Sequence, residues 1–305
     1  MLNTSKFDVI GIGGAAWDFL GIIKKYPGTG EKTEMSFIDQ QGGGQTGTAI
    51  VTVARLGGKA SIIGVVGDDE FGEKIRKSFL EEGVDISHLF IDKSSTSHIA
   101  FCMTLEDTGD RTIFYNRGTK RFLTPQDIDR DFVSNCRCLL IDTHHSKASL
   151  EAVSIARSLQ IPVVTDIERF SPENDSLFAL GTHHILPERY LLEYTKESSL
   201  EKALLFWRKR FKESILVITL GERGTIAFNG EEIITQKAYK IDSLVDTTGA
   251  GDVFHGAFAY GLTLGYDLPT NLNFASIVAG LKCRFMGGRK GIPTVEEVRK
   301  YFFGA

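Results

Sequence analysis

From about residue 124 the chain alternates short apolar runs with helix-compatible stretches, and few folds accept that order. Residues 138–142, 162–166, 184–186 and 215–219 read as strands, with helices between them at roughly 147–159, 172–180 and 198–213. Strands linked through helices form a parallel sheet covered on both faces. Their runs are continuously apolar because both sides of such a strand are buried. Ligands of open α/β sheets gather beyond the C-terminal ends of the strands, which is where Asp142 and Asp166 stand. The pairs His144–His145 and His183–His184 invite a metal reading. Adjacent histidines point different ways, however, and no Asp, Glu or Cys spacing completes a site, so we read them as loop residues.

The first third of the chain is organised differently. Residues 8–12 form an apolar strand, and Gly11-Ile12-Gly13-Gly14-Ala15-Ala16 formally satisfies a dinucleotide fingerprint. That motif needs a helix after the glycines, and Lys25-Tyr26-Pro27-Gly28 breaks one early. Asp18 is instead placed to accept hydrogen bonds from hydroxyls. Residues 31–41 alternate loosely as an exposed strand. Gly42, Gly43 and Gly44 then open a helix that Gly57-Gly58 ends. A strand at 60–66 is followed by Gly67-Asp68-Asp69 and a helix from 73 to 82, with the acids read as helix caps. Residues 96–115 read as two strands joined at 106–110.

Composition narrows the class. The 305 residues allow one large α/β domain or two small ones, and 42% hydrophobic with 24% charged residues is ordinary for a globular chain. A net charge of −4 offers no attraction to nucleic acid or an anionic membrane. No apolar run is long enough to span a bilayer, and residues 1–8 lack the layout of a signal peptide. The four scattered cysteines (Cys102, Cys136, Cys138, Cys283) read as reduced thiols, with a cytoplasmic location expected.

The chemistry concentrates in Asp246-Thr247-Thr248-Gly249-Ala250-Gly251-Asp252, which runs into the apolar stretch from Val253 to Gly261. A Gly-Ala-Gly turn feeding a helix leaves backbone N–H groups free and aims the positive end of the helix dipole at an anion. A carboxylate in that first turn would hinder simple phosphate binding. It suits phosphoryl transfer: the amides hold the migrating group while Asp252 takes the hydroxyl proton. A helix-capping Asp would leave the same local pattern. The helix dipole is expected to hold the pKa of Asp252 low. His255, one turn further along, either relays a proton or packs on the sheet.

The seven-residue string resembles the second signature of the ribokinase-like, or PfkB-type, carbohydrate kinases. Gly67-Asp68-Asp69 and Gly83-Val84-Asp85 are similar to the first signature region, and motif order agrees over nearly the whole chain. The resemblance implies a ribokinase-like three-layer α/β/α sandwich with a mostly parallel central sheet and a small β-sheet lid. Residues 1–305 would form a single kinase domain, with lid segments at about 16–41 and 96–117. It implies Asp252 as general base, with the amides of Gly249, Ala250 and Gly251 as anion hole. Asp18, Gly43, Gly44, Gln45, Asn116 and Arg117 would meet the sugar. Thr219, Gly221 and Gly224 would meet the nucleotide, with Ser276 on the helix that covers the adenine. ATP and Mg²⁺ are implied, although the usual Asn-x-x-Glu is absent around Leu186–Leu191, where Glu188 and Glu193 stand. A monovalent cation such as K⁺ would be held by Asp246 and Thr248 with carbonyls of the turn at 287–293.

Residues 245–259, 279–283 and 287–289 look similar to sulfofructose kinase and ketose kinase members. Tyr115 (with Asn116 beside it) and His144 stand where the sulfonate-holding residues align, so a neutral or simply phosphorylated sugar, such as a ketose, is expected. The partners implied are a small sugar and ATP, without nucleic acid or membrane, and a homodimer through the lid. A nucleoside kinase of the same fold, with Phe101, Phe114 and Tyr115 as an apolar slot, and a non-catalytic sugar sensor remain alternatives.

Overall fold

The computed structural model describes residues 5–118, 121–168 and 171–302; the first four residues, on which the signal-peptide reading partly rests, lie outside it. The chain opens with β1 (Phe7–Ile12), then moves to a second sheet for β2 (Ala16–Ile23) and β3 (Met35–Gly43). It returns through α1 (Gln45–Arg55), β4 (Ala60–Gly67), α2 (Glu70–Glu81) and β5 (Asp85–Asp92). A hairpin of β6 (Ile99–Leu105) and β7 (Arg111–Asn116) completes the second sheet. Helices and strands then alternate through α3 (Arg130–Ser134), β8 (Cys136–Asp142), α4 (Ser146–Ser158), β9 (Val163–Asp166), α5 (Pro172–Leu180) and β10 (His183–Pro187). Next come α6 (Glu188–Thr195), α7 (Leu200–Arg210), β11 (Ile215–Thr219) and the strands β12 (Thr225–Phe228) and β13 (Ile233–Gln236). Three helices follow: α8 (Ala250–Thr263), α9 (Leu268–Lys282) and α10 (Val295–Phe302).

The larger sheet runs in the order β13-β12-β11-β10-β9-β8-β1-β4-β5. It is parallel from β11 to β5 and antiparallel only along β12 and β13. Alternate side chains feed two cores, as strand geometry requires. Val9, Ile62 and Leu140 pack with α1, α2, α8, α9 and α10, while Ile10, Ile63 and Leu139 pack with α3 to α7. The result is the three-layer sandwich expected from the alternating pattern. The smaller sheet has the order β3-β2-β6-β7.

Several elements depart from the sequence reading. α2 starts at Glu70, and the Asp69 carboxylate caps it by accepting from Gly72 N at 2.7 Å. Polar residues interrupt β5, which hid it as an edge strand. α6 follows β10 without a break, so nothing marked its start. His183 and His184 are strand residues of β10 rather than loop residues, and burial pushes them down to about 4 and about 3. No cluster of three or more His, Cys, Asp or Glu able to hold a metal occurs among the described residues. All four cysteines are free and buried. Among the described residues no helix is long and apolar enough to cross a membrane.

Candidate active site

A cleft of about 440 Å³ lies between one face of the small sheet and the C-terminal ends of the large one. Strand register decides which side chains enter it. Asp18, Ala100 and Tyr115 are partners across β2, β6 and β7, and so are Leu20, Cys102 and Ile113. This set faces the cleft, and Arg111 shares it by period-two alternation. The next set, Phe19, Phe101 and Phe114, faces the other way. Two expectations are corrected by this parity. Asn116, one residue beyond Tyr115, points away from the cleft, and its Oδ1 accepts from Gly118 N at 2.8 Å. Phe101 and Phe114 supply no slot for a purine; of the three aromatic residues only Tyr115 lines the cleft.

The floor is the turn before α8. Gly249 adopts φ 72°, a left-handed conformation, and a Cβ there would stand 2.7 Å from the Gly288 Cα. Gly249, Gly251 and Asp252 line the cleft. The expectation of three free amides needs one correction: Ala250 N donates to Thr247 O at 3.1 Å. Among the described residues the N–H groups of Gly249 and Gly251 have no such partner, so they are the donors at the mouth of the helix. Behind the turn, Asp246 accepts from Thr248 N and Oγ1 through Oδ1, and from Gly287 N through Oδ2. Burial opposes its charge, yet these bonds hold its carboxyl below the ordinary value.

The electrostatics reverse another expectation. Asp252 is pushed well above the usual carboxylate range rather than held low. Burial comes first, then the like charges of Asp166, Glu168 and Asp18, which outweigh the helix dipole. Asp166 rises to about 8 through burial and the Asp142 carboxylate, and Glu168 to about 7 through burial and Asp166. Glu168, two residues past the end of β9, faces the cleft and was not singled out from sequence. His255 is buried beneath this group with Nδ1 2.7 Å from Gly251 O and Nε2 3.2 Å from Ile185 O. Burial lowers its pKa, while those carbonyls and Glu168 oppose the shift.

At the far wall, burial raises Asp18 to about 6 against the opposing charge of Arg289. Arg289 is buried over the Phe79 ring and donates to Gly43 O at 2.7 Å. A Cβ on Gly43 would overlap the Asp18 carboxylate, which explains glycine at that position. Gly44, Gln45 and Arg117 line the cleft, joined by His98 and His144. Asp142 is structural: it accepts from Gly14 N at 2.7 Å, Thr46 Oγ1 at 2.8 Å and His144 N at 2.7 Å. Thr219 pairs with Pro187, which lines the cleft, so Gly221 and Gly224 lie one strand further along the sheet. Ser276 is buried in α9 with its Oγ lacking a hydrogen-bond partner. Glu188 forms an ion pair with Arg223.

Comparison with known proteins bears on the family and the fold. The model of the pfkB family of carbohydrate kinases matches residues 9–295. A 5-dehydro-2-deoxygluconokinase of Shouchella clausii is 30% identical over 96% of this chain and 95% of its own length. A nucleoside kinase of Methanothermobacter thermautotrophicus is 25% identical over 97% of this chain and 95% of its own. The ribokinase of Arabidopsis thaliana, solved with ribose and ATP, superposes with a TM-score of 0.85 at 22% identity, covering 97% of this chain and 98% of that one. The chain belongs to the pfkB family of carbohydrate kinases.

Proposed function

We propose that the protein transfers a phosphoryl group from ATP to a hydroxyl of a small sugar, with Asp252 as general base. The observation that carries this reading is the pairing of free N–H groups on Gly249 and Gly251 with a base, Asp252, in one cleft. The sugar lies between Asp18, Gly43, Gly44, Gln45 and Arg117. The nucleotide reaches in from the side of Thr219, Gly221 and Gly224, with Ser276 beneath it. The small sheet acts as a lid on one kinase unit, and its closure excludes the water that would otherwise accept the phosphoryl group.

The raised pKa of Asp252 serves this role. A base works best with a pKa near the working pH, and burial among carboxylates moves Asp252 in that direction. The amides of Gly249 and Gly251 and the dipole of α8 stabilise charge on the transferred group. Mg²⁺, when bound, neutralises charge on the ATP phosphates. The donor set fits it: Glu168 offers a carboxylate on the cleft, and this ion takes only one or two alongside phosphate oxygens and water. The exposed aromatic face of Phe101 and Phe114 would join two copies as a homodimer, which sedimentation velocity checks directly.

An acceptor panel read by ADP release tests the reading. It sets 5-dehydro-2-deoxygluconate, the acceptor the Shouchella clausii enzyme's name denotes, beside neutral ketoses, aldoses, sugar phosphates and nucleosides. A sugar or sugar acid should stimulate ADP release well above hydrolysis alone. Tight sugar binding without stimulation would favour a sensor, and a nucleoside preference would favour the nucleoside kinase.

A further inference from the structure

The monovalent cation that the family resemblance implies does not suit the residues meant to hold it. Both carboxylate oxygens of Asp246 are engaged by Thr248 and Gly287. The Asp246 carbonyl oxygen accepts from Lys282 Nζ at 2.9 Å. Lys282 is fully buried on the last turn of α9. Of the Asp246 oxygens that would ligate a dissolved cation, the carboxylate pair is therefore already hydrogen-bonded and the carbonyl already faces a fixed ammonium group. A second positive charge beside it would be repelled in a region with little water to screen it.

An ammonium in this place has work to do. The Asp246 carboxylate bridges the turn before α8 to the turn at Gly287, and Gly249 packs directly on Gly288. The lysine thus stands behind both strands of backbone that shape the mouth of the helix. Burial lowers its pKa, whereas Asp246 and, more weakly, Asp252 oppose that shift. A buried charge needs compensation, and Lys282 has a hydrogen bond to the Asp246 carbonyl with the charge of the Asp246 carboxylate nearby.

With Gly249 and Gly251 taken as the phosphoryl site, as proposed above, we infer that the Lys282 ammonium is a tethered replacement for a monovalent cation, fixing the anion-binding turn so that no K⁺ is needed. Lys282 touches neither acceptor nor nucleotide and is a positioning residue.

The test is Mg–ATP binding by calorimetry in choline chloride and in KCl at equal ionic strength, with the unfolding temperature followed in parallel. The wild-type dissociation constant should agree between the salts to within about twofold. Lys282→Met should weaken Mg–ATP by about tenfold in both salts, the scale of one lost charge-assisted hydrogen bond. Lys282→Ala, which opens room for an ion, should be weakened in choline and recover in KCl. Wild-type binding that tightens by about tenfold on adding KCl overturns the inference, as does a Lys282→Met protein that binds like wild type. If Lys282→Ala fails to fold, the wild-type and Lys282→Met pair decides the matter. Salt-independent Mg–ATP binding with no acceptor turnover would count against the kinase reading while upholding the role of Lys282.

Discussion

Nη1 of Arg111 lies 2.8 Å from Oγ1 of Thr247, tying the last strand of the small sheet to the turn that precedes α8. The contact joins two segments 136 residues apart and carries a guanidinium over the mouth of the helix. Arg111→Met should lower kcat by roughly 10- to 1,000-fold, the range for losing one donor to developing charge, while Mg–ATP affinity changes little. Stability should barely change, because the contact is exposed. Steady-state kinetics beside thermal unfolding checks both; a stability loss with unchanged kcat would make Arg111 a structural clamp only.

Asp142 should behave in the opposite way. Its carboxylate, fully buried, receives Gly14 N, Thr46 Oγ1 and His144 N, and so joins β1, α1 and β8. Burial opposes its charge, and His144 with these amides nonetheless holds it below the usual carboxylate range. Asp142→Ala strands several buried donors and should cost about 3–5 kcal/mol in urea unfolding, with Asp142→Asn costing less. An Asp142→Ala protein as stable as wild type would refute this account of the network.

The pH dependence of stability follows from the same groups. Folding raises the buried Asp166 to about 8, and the cleft-facing Glu168 is raised in the same direction, so the folded chain binds more protons than the unfolded one up to that value. Stability therefore falls as pH rises to that value. Buried His183 and His184 act oppositely, but only below their unfolded value of 6.5. The ligand-free protein should thus lose stability between pH 6.5 and about 8. Thermal unfolding across that window should show a falling midpoint, and Asp166→Asn should flatten the fall. A midpoint that climbs with pH there would contradict the carboxylate cluster.

What could be read from sequence was whatever contiguous residues determine. The Asp246–Asp252 string and the strand–helix alternation each declare themselves over a few neighbours. Asp69 as a helix cap and the early break against a dinucleotide fold were legible for the same reason. Arg111, Arg289, Glu168 and Lys282 were not, because their roles depend on packing between distant segments. Strand parity could have found Arg111, which shares a face with Tyr115 and Ile113, and would have excluded Asn116. The pKa of Asp252 was misjudged because the helix dipole is local, whereas the carboxylates that outweigh it arrive from β2 and from the end of β9.

The most direct measurement is turnover and Mg–ATP affinity of Asp252→Asn beside wild type, using the best acceptor from the panel. Turnover should fall by about 10²- to 10⁴-fold with ATP affinity nearly unchanged. The unfolding temperature should rise, since a carboxyl whose ionisation is opposed by burial and by Asp166 and Glu168 no longer has to be kept protonated on folding. Turnover retained within about tenfold would remove Asp252 from proton transfer and, with it, the mechanism proposed for this cleft.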